Sequence, residues 1–161
     1  MQLIEIESQL NQLLQNQKSL YIASLDSNGT PHCSTSPFVI QNQRIYLLLS
    51  ELSLHCQNIL AQSELSILIT EDEGAADEIF ARTRVNWTVQ QTEILRETQT
   101  FDEILELMKN HLSPVVKMLK SLRDFHLFEL EPKSGRLILG FGKAFNLEGF
   151  NIDSTPIGPK K

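Results

Sequence analysis

The segment SLYIASLDSNGTPHCSTSPFVI (residues 19–40) decides the fold of this chain. Residues 20–25 are predicted to form a strand, and residues 30–40 a second strand that runs antiparallel to the first. Between them, DSNG (residues 26–29) has the chemistry of a tight turn, because asparagine and glycine tolerate a positive φ. The chain is therefore predicted to open its sheet with a β-hairpin.

The rest of the chain alternates between predicted strands and predicted helices. The further strands are Arg44–Ser50, Leu65–Thr70 and residues 81–95, 125–130 and 136–145, the last two joined by a turn at residues 132–135. The helices are residues 3–16, 53–62 and 100–111, and a segment from Ser113 to about Leu122. Val85, Trp87 and Val89 alternate with polar residues, which predicts a long strand with one buried face.

Six or seven strands, mostly antiparallel neighbours, predict a mainly β fold with helices at its periphery. A sheet of this size avoids exposed edges by closing into a small barrel. The whole chain, residues 1–161, is predicted to be one domain with an N-terminal helix within residues 1–17. Residues 149–161 are rich in proline and glycine and are predicted to be a mobile tail.

Composition excludes several classes of protein. The 161 residues are 41% hydrophobic and 21% charged, as expected of a globular domain. A net charge of −6 makes nucleic acid an improbable partner. No apolar run approaches the roughly 20 residues that cross a bilayer, and the acidic N-terminal segment does not resemble a secretory signal. Two cysteines make no disulfide framework, so we expect a cytoplasmic protein.

The dipeptide His-Cys occurs twice, as His32-Cys33 and His55-Cys56, and raises the question of a metal or thiol site. Adjacent side chains point to opposite faces of a strand and diverge by about 100° on a helix. Neither pair has the spacing of a structural zinc site, and neither lies in a cysteine-protease or C-x-x-C signature. We therefore expect no metal site, and we interpret the cysteines as packing residues.

The segment LSELSLHCQN (residues 49–58) is a candidate phosphate site at a strand end and helix start. Ser50 and Ser53 offer hydroxyl groups, His55 offers a donor or a positive charge, and the first helical turn offers free N–H groups. The alternative is that Ser53 simply caps the helix.

A second candidate lies in FARTR (residues 80–84). Arg82 and Arg84 are two residues apart on a predicted strand, so their side chains would share a face and could hold a phosphate or carboxylate together. The alternative is a solvated strand face paired with the acidic loop EDEGAADE that precedes it.

A third candidate is GFGK (residues 140–143). Two glycines within a predicted strand indicate a bulge or the close approach of another group, and Lys143 adds a cation beside them. The string is not a dinucleotide fingerprint, since it lacks G-x-G-x-x-G at a helix start. Barrel curvature and dimer packing are the alternatives.

Taken in order, the segments at residues 19–38, 44–59, 65–73 and 80–87 resemble the pyridoxamine 5′-phosphate oxidase-like family of FMN-binding split barrels. The patterns SxLSxHxxN and FARxR and the late GFGKAF are most similar to its haem-utilisation branch. The resemblance covers residues 10–147. It implies an antiparallel split β-barrel, and a homodimer with its cofactor in a cleft at the subunit interface.

The resemblance also implies site residues. Ser53 and His55 match the segment that holds the FMN phosphate, with histidine where lysine is usual. Arg82 and Arg84 match the basic positions of FARxR. The strand that usually lines the flavin carries Ser34, Thr35 and Ser36. Members of the haem branch typically ligate iron with a C-terminal histidine, whereas residues 146–161 of this chain contain none.

Three functions follow from these residues and the resemblance. The first is an FMN-dependent oxidoreductase of unknown substrate, in which FMN performs the hydride chemistry and no side chain acts as acid or base. The second is a haem-binding or haem-degrading protein, in which the arginines meet propionates or a distal ligand. The third is a non-catalytic binder of a small anionic ligand.

Overall fold

The structure is a computed structural model and describes residues 1–158 of the chain. Within these residues the strands are β1 (Ser19–Leu25), β2 (Pro31–Pro37), β3 (Val39–Gln41), β4 (Arg44–Ser50), β5 (Leu65–Thr70), β6 (Arg84–Ile94), β7 (Phe125–Ile138), β8 (Ala144–Glu148) and β9 (Asn151–Ile152). The helices are α1 (Leu3–Asn16), α2 (Leu54–Leu60), α3 (Gln99–His111) and α4 (Val116–Ser121). Two short 3-10 helices, Glu73–Ala75 and Ile79–Ala81, precede β6. None of the described helices has the length and hydropathy needed to span a membrane.

All nine strands belong to one antiparallel sheet. Its main order is β2-β1-β5-β6-β7-β4-β3, and β8 and β9 extend from β7. The two end strands, β2 and β3, are separated in the chain only by Phe38, which is 3% exposed. The chain itself therefore joins the two ends of the sheet, and the sheet curls into a half-barrel. The predicted mainly β split-barrel fold with peripheral helices is confirmed.

Strand alternation places one face of the sheet inside the barrel and the other outside. In β1 and β5, every second residue is buried. The interior holds Trp87, Phe128 and Phe145, each almost fully buried, and α1 closes it with Ile6, Leu10 and Leu13. A second apolar cluster lies between α3, α4 and the outer face of the sheet.

The last part of the sheet differs from the prediction. Residues 125–138 form one strand, β7, and there is no turn at residues 132–135. Pro132 pairs with Val89 beside a register irregularity between Trp87 and Val89 in β6. A bulge is where a sheet accepts a proline, because no ladder hydrogen bond is then lost. The proline and glycine of EPKSG therefore belong to a bulged strand, although they have the composition of a turn.

The segment predicted as a mobile tail is in part bound to the sheet. Asn151–Ile152 pairs with β8 as strand β9. The amide N–H of Ile157 donates to the carbonyl oxygen of Ala144 at 2.8 Å. Residues 159–161 of the predicted tail lie outside the described residues.

Candidate functional site

The residues predicted to form the site fall on two different faces of the sheet. In β2, His32, Ser34 and Ser36 are the partly or fully buried positions, whereas Cys33 and Thr35 are exposed. The predicted separation of His32 from Cys33 is therefore observed. Ser34 lies with His55 on the side of α2, while Arg82 and Arg84 lie on the outer face, across β1 and β5.

On the outer face there is a groove of about 700 Å³, bounded by β1, β5, β6 and the 3-10 helix Ile79–Ala81. Its wall carries apolar side chains, including Leu68, Ile79 and Phe80. Phe80 is 80% exposed and Ile79 beside it is 53% exposed, so the two form an exposed apolar patch at the groove. Two cations, Arg82 and Arg84, line the same groove, and none of the described lining residues is acidic. We call this feature the outer groove.

Arg82 and Arg84 meet in the outer groove, although they do not share a strand face as predicted. Arg82 precedes β6 and follows the 3-10 helix. Its Nε donates to the carbonyl oxygen of Glu71 at 3.2 Å, and its Nη1 pairs with the carboxylate of Glu73 at 3.3 Å. The predicted pairing of this cation with the acidic loop is therefore present at Arg82.

Arg84 makes fewer hydrogen bonds and ion pairs with the described residues than Arg82 does. Its Nη1 donates to the carbonyl oxygen of Arg82 at 2.8 Å, and it forms no ion pair with the described residues. The bond holds the side chain in place while leaving most of its donors open. A guanidinium with a fixed orientation and open donors suits a planar carboxylate or a phosphate.

The hydroxyl groups around α2, which were predicted to hold a phosphate, bond to the protein itself. The hydroxyl of Ser50 donates to the carboxylate of Asp124 at 2.8 Å, and the hydroxyl of Ser53 donates to the carbonyl oxygen of Ser50 at 2.6 Å. Ser53 occupies the N-cap position, but its side chain caps no N–H of the helix. Both hydroxyls are thus used internally, and the nearby carboxylate of Asp124 would repel an anion.

His55 does not supply a positive charge either. Its Nδ1 lies 2.7 Å from the hydroxyl of Ser34. Burial lowers the pKa of His55 from its ordinary value, and the neighbouring His32 lowers it further. The imidazole is therefore neutral at pH 7, so it differs in charge as well as in shape from the lysine usual at this position.

The remaining predicted site residues are dispersed. The hydroxyl of Thr35 donates to the carbonyl oxygen of Leu20 at 2.9 Å, and that of buried Ser36 donates to the carbonyl oxygen of Pro37 at 2.9 Å. Lys143 is exposed in the turn that joins β7 to β8. Because Ile138 pairs with both Arg84 and Ala144, this turn lies at the end of the sheet where Arg84 begins β6.

The glycines of GFGK form a turn, where the sequence indicated a bulge within a strand or the close approach of another group. Gly140 has a φ of 132° and Gly142 a φ of 67°. Both values lie in the region that side chains disfavour, which explains why glycine stands at these two positions. Phe141, between them, is 73% exposed.

Cys56 does not have the surroundings of a nucleophile. Burial, assisted by the negative charges of Glu51 and Glu93, raises the pKa of the Cys56 thiol to about 11. Cys56 is fully buried in the core, in agreement with its interpretation as a packing residue. Cys33 is exposed on the outer face, so its interpretation as a packing residue is wrong. Within the described residues no group of three or more histidine, cysteine or carboxylate side chains is placed to hold a metal ion.

One polar cluster was missed by the sequence analysis. His126 on β7 contacts the carboxylate of Glu93 through Nδ1 at 2.6 Å and that of Glu51 through Nε2. Burial lowers the pKa of His126, but the hydrogen bonds and charges of the two carboxylates outweigh it and raise the pKa overall. Glu51 directly follows β4, Glu93 lies on β6 and His126 on β7. The three residues are far apart in the chain, so no sequence spacing connects them.

The stability of the protein should therefore depend on pH through His126. A raised pKa in the folded state stabilises the protein below the unfolded value of 6.5, and this contribution is lost as pH rises through the folded pKa. Replacing His126 with glutamine should cost about 1 kcal/mol or less in acid and nothing at alkaline pH. The measurement is the free energy of unfolding of both proteins between pH 5 and about pH 9.

His55→Gln is the matched control for His126→Gln. Because the pKa of His55 is lowered in the folded state, its contribution is present above pH 6.5 and is lost as pH falls. The two differences from the wild type should thus change with pH in opposite directions. A pH-independent difference for His126→Gln would contradict the assignment of its charge.

A second, separate cleft of about 600 Å³ lies between α1, β3 and the C-terminal end of α3. It is lined mainly by apolar side chains, and His111 and Lys18 are at its polar parts. The Nδ1 of His111 lies 3.2 Å from the carbonyl oxygen of Leu107, as in an ordinary helix end. This cleft shares no lining residue with the outer groove.

Comparison with known proteins places these features in context. The family model described as pyridoxamine 5′-phosphate oxidase matches residues 6–139. A relative called haem oxygenase HutZ, from Vibrio cholerae, is 29% identical over 147 residues, which cover 91% of this chain and 84% of HutZ.

Solved structures show the same similarity. That of ChuZ from Campylobacter jejuni has a TM-score of 0.87 and 30% identity, and the match covers 96% of this chain but 64% of ChuZ. The structure of HutZ from Vibrio cholerae, which is described as a haem storage protein, has a TM-score of 0.78 and 28% identity. The match covers 84% of this chain and 94% of HutZ.

Proposed function

The chain belongs to the pyridoxamine 5′-phosphate oxidase family, and on that premise we propose that it is a haem-binding protein of the haem-utilisation type, with haem in the outer groove. The observation that carries the proposal is the combination of an apolar wall with an open guanidinium, that of Arg84, and no lining carboxylate. Haem has a flat apolar ring and two carboxylate arms, so it needs both features. HutZ, named as a haem oxygenase and as a haem storage protein, supports haem as the ligand.

In this proposal the residues of the outer groove have distinct tasks. Leu68, Ile79 and Phe80 would cover the ring and exclude water. Arg84 would bind a propionate with charge-assisted hydrogen bonds. Arg82, held by Glu71 and Glu73, would position Arg84 through its carbonyl oxygen. When bound, haem iron supplies one-electron and dioxygen chemistry that side chains lack.

FMN is a weaker candidate for this chain than the sequence analysis expected. The predicted phosphate cradle is occupied by its own hydrogen bonds, and His55 is neutral. The relative HutZ is named as a haem oxygenase and as a haem storage protein. The family model keeps FMN as the second candidate, since the ligand's phosphate could also meet Arg84.

A homodimer remains part of the proposal. Large side chains beside the outer groove are exposed, with Tyr21 at 49%, Ile79 at 53% and Phe80 at 80%. Exposed apolar surface of this kind commonly marks an interface. A second copy over this face would enclose a ligand in the groove.

Titration of the purified protein with haem, followed by the Soret band, tests the proposal. The wild type should bind haem, and Arg84→Gln should weaken binding about 10- to 100-fold, which corresponds to the loss of one charge-assisted contact. Arg123→Gln makes the same change of charge at an exposed position that does not line the groove, and it should bind like the wild type.

The same titration with FMN separates the two cofactors. Binding of FMN and failure to bind haem would overturn the proposal in favour of the flavin protein. Binding of neither would leave the non-catalytic anion binder. For protein that binds haem, loss of the Soret band after addition of dioxygen and an electron donor would identify breakdown, and a persistent band would identify storage.

A further inference from the structure

We propose that the phenol oxygen of Tyr21 is the iron ligand of the bound haem, an inference that rests on the proposed function. Tyr21 lies on the outer face of β1 and lines the outer groove. Its side chain is about half exposed, and its hydroxyl makes no hydrogen bond with the described residues. The phenol therefore faces the groove without a partner of its own.

None of the four histidines of the chain lines the outer groove. Both ring nitrogens of His126 are engaged by Glu93 and Glu51. His32 and His55 lie on the other side of β2, where His55 is bonded to Ser34. His111 lines the separate cleft beside α1.

Protein ligands of haem iron are histidine, cysteine thiolate, methionine and tyrosine. Among the described residues that line the outer groove, only Tyr21 and Cys33 belong to these types. The choice of iron ligand within this groove is therefore between a phenol on β1 and a thiol on β2.

Strand register decides between the two. Tyr21 pairs with Leu68, which pairs with Asn86, so Tyr21 is displaced from Arg84 by two residues along the strands and by two strand spacings. For a flat sheet this is about 7 Å along and 10 Å across, or about 12 Å between the Cα atoms. Over that distance the phenol of Tyr21 can reach the iron while the guanidinium of Arg84 reaches a propionate of the same haem.

Cys33 lies farther away and has a short side chain. It pairs with Ala23, which pairs with Ser66, and Ser66 with Thr88. Its displacement from Arg84 is therefore four residues along and three strand spacings across, or about 20 Å for a flat sheet. A ring anchored on Arg84 would reach Tyr21 well before it reached Cys33.

Binding of ferric iron by Tyr21 needs no oxidant or reductant. The phenolic O–H bond breaks, the oxygen binds ferric iron and the proton passes to solvent, so no electron is transferred. Leu68 and Thr35, the cross-strand neighbours of Tyr21 on the outer face, flank it on either side.

The test compares ferric haem complexes of the wild type, Tyr21→Phe, Cys33→Ser and His111→Ala by electron paramagnetic resonance and resonance Raman spectroscopy. We expect an iron–phenolate vibration in the wild type, its loss in Tyr21→Phe, and its retention in the other two variants. Haem affinity of Tyr21→Phe should fall at least 10-fold, because the metal bond is lost while Arg84 remains. Since Tyr21 is about half exposed, thermal unfolding of the haem-free variant should be close to that of the wild type.

The outcomes separate this inference from the proposed function. Failure of the wild type to bind haem would overturn the function. Binding of haem with a spectrum that is unchanged in Tyr21→Phe would overturn the inference alone. A spectrum that changes in Cys33→Ser or His111→Ala, with Tyr21→Phe like the wild type, would assign the iron to that other residue.

Discussion

Replacing Gly135 with alanine is expected to lower the stability of the protein by about 3 kcal/mol or more, the upper range of overpacking. A Cβ atom at this position would lie 2.4 Å from the carbonyl oxygen of Asn86 and 2.4 Å from Cδ1 of Trp87. The first contact is backbone of the neighbouring strand, and the second belongs to a side chain that is 0% exposed. Neither can move without opening the ladder between β6 and β7.

The measurement is thermal and chemical unfolding of the two proteins. For a chain of this size, 3 kcal/mol corresponds to a fall in Tm of about 6–12 °C. Gly74→Ala is the matched control, because a Cβ at Gly74 meets nothing within 4 Å and should change stability by about 0.5 kcal/mol at most. Equal unfolding curves for the two variants would show that β6 and β7 are not packed as described.

Replacing Trp87 with alanine is expected to cost about 3–5 kcal/mol. Trp87 is the one tryptophan of the chain and is fully buried among the barrel's side chains. Its Nε1 donates to the carbonyl oxygen of Gly149 at 2.7 Å, and its ring lies 5.2 Å from that of Phe150. The indole thus fills the core and also binds the segment that follows β8.

Trp87→Phe separates these two roles. It keeps most of the ring but leaves the carbonyl oxygen of Gly149 without its donor, at a cost of about 1–3 kcal/mol. We expect faster hydrogen exchange at the amides of Asp153 and Ile157, which bind β8. Unchanged exchange at both amides would contradict the role of Trp87 in holding this segment.

An exposed aromatic residue provides the control for truncation. Phe141 is 73% exposed in the turn between β7 and β8, so Phe141→Ala should change stability by about 0.5 kcal/mol at most. Because Trp87 is the only tryptophan, its variants must be followed by circular dichroism, since fluorescence would disappear with the indole.

Much of the fold could be predicted from local patterns. Arg44–Ser50 and Leu65–Thr70 have the predicted bounds, because continuous apolar runs between turn residues leave little choice of register. β7 was misjudged, since Pro132 and Gly135 look like a turn until the bulge between them, opposite Thr88 of β6, and the ring of Trp87 are known. Such residues are explained by a partner strand about 45 residues away in the chain.

The candidate site was predicted less completely. Arg82 and Arg84 line one groove, but Arg82 lies outside the strand, and their joint binding of an anion stays a prediction. The serines of residues 50–53 have the composition of a phosphate site, yet Asp124, which immediately precedes the neighbouring strand β7, uses the hydroxyl of Ser50. A hydroxyl group donates to whichever acceptor the fold brings near. The presence of serines in a segment therefore does not determine their partners.

The sequence by itself determined most of the strands, the order of the basic motifs and hence the family, because side-chain alternation and turn chemistry act between near neighbours. Only the tertiary structure decided which side chains share a surface. It set Ser34 and His55 on one side of β2, and Arg84 and Tyr21 on the other. The physical reason is register: a strand alternates faces at every residue, but only pairing with its neighbours decides what stands beside each side chain.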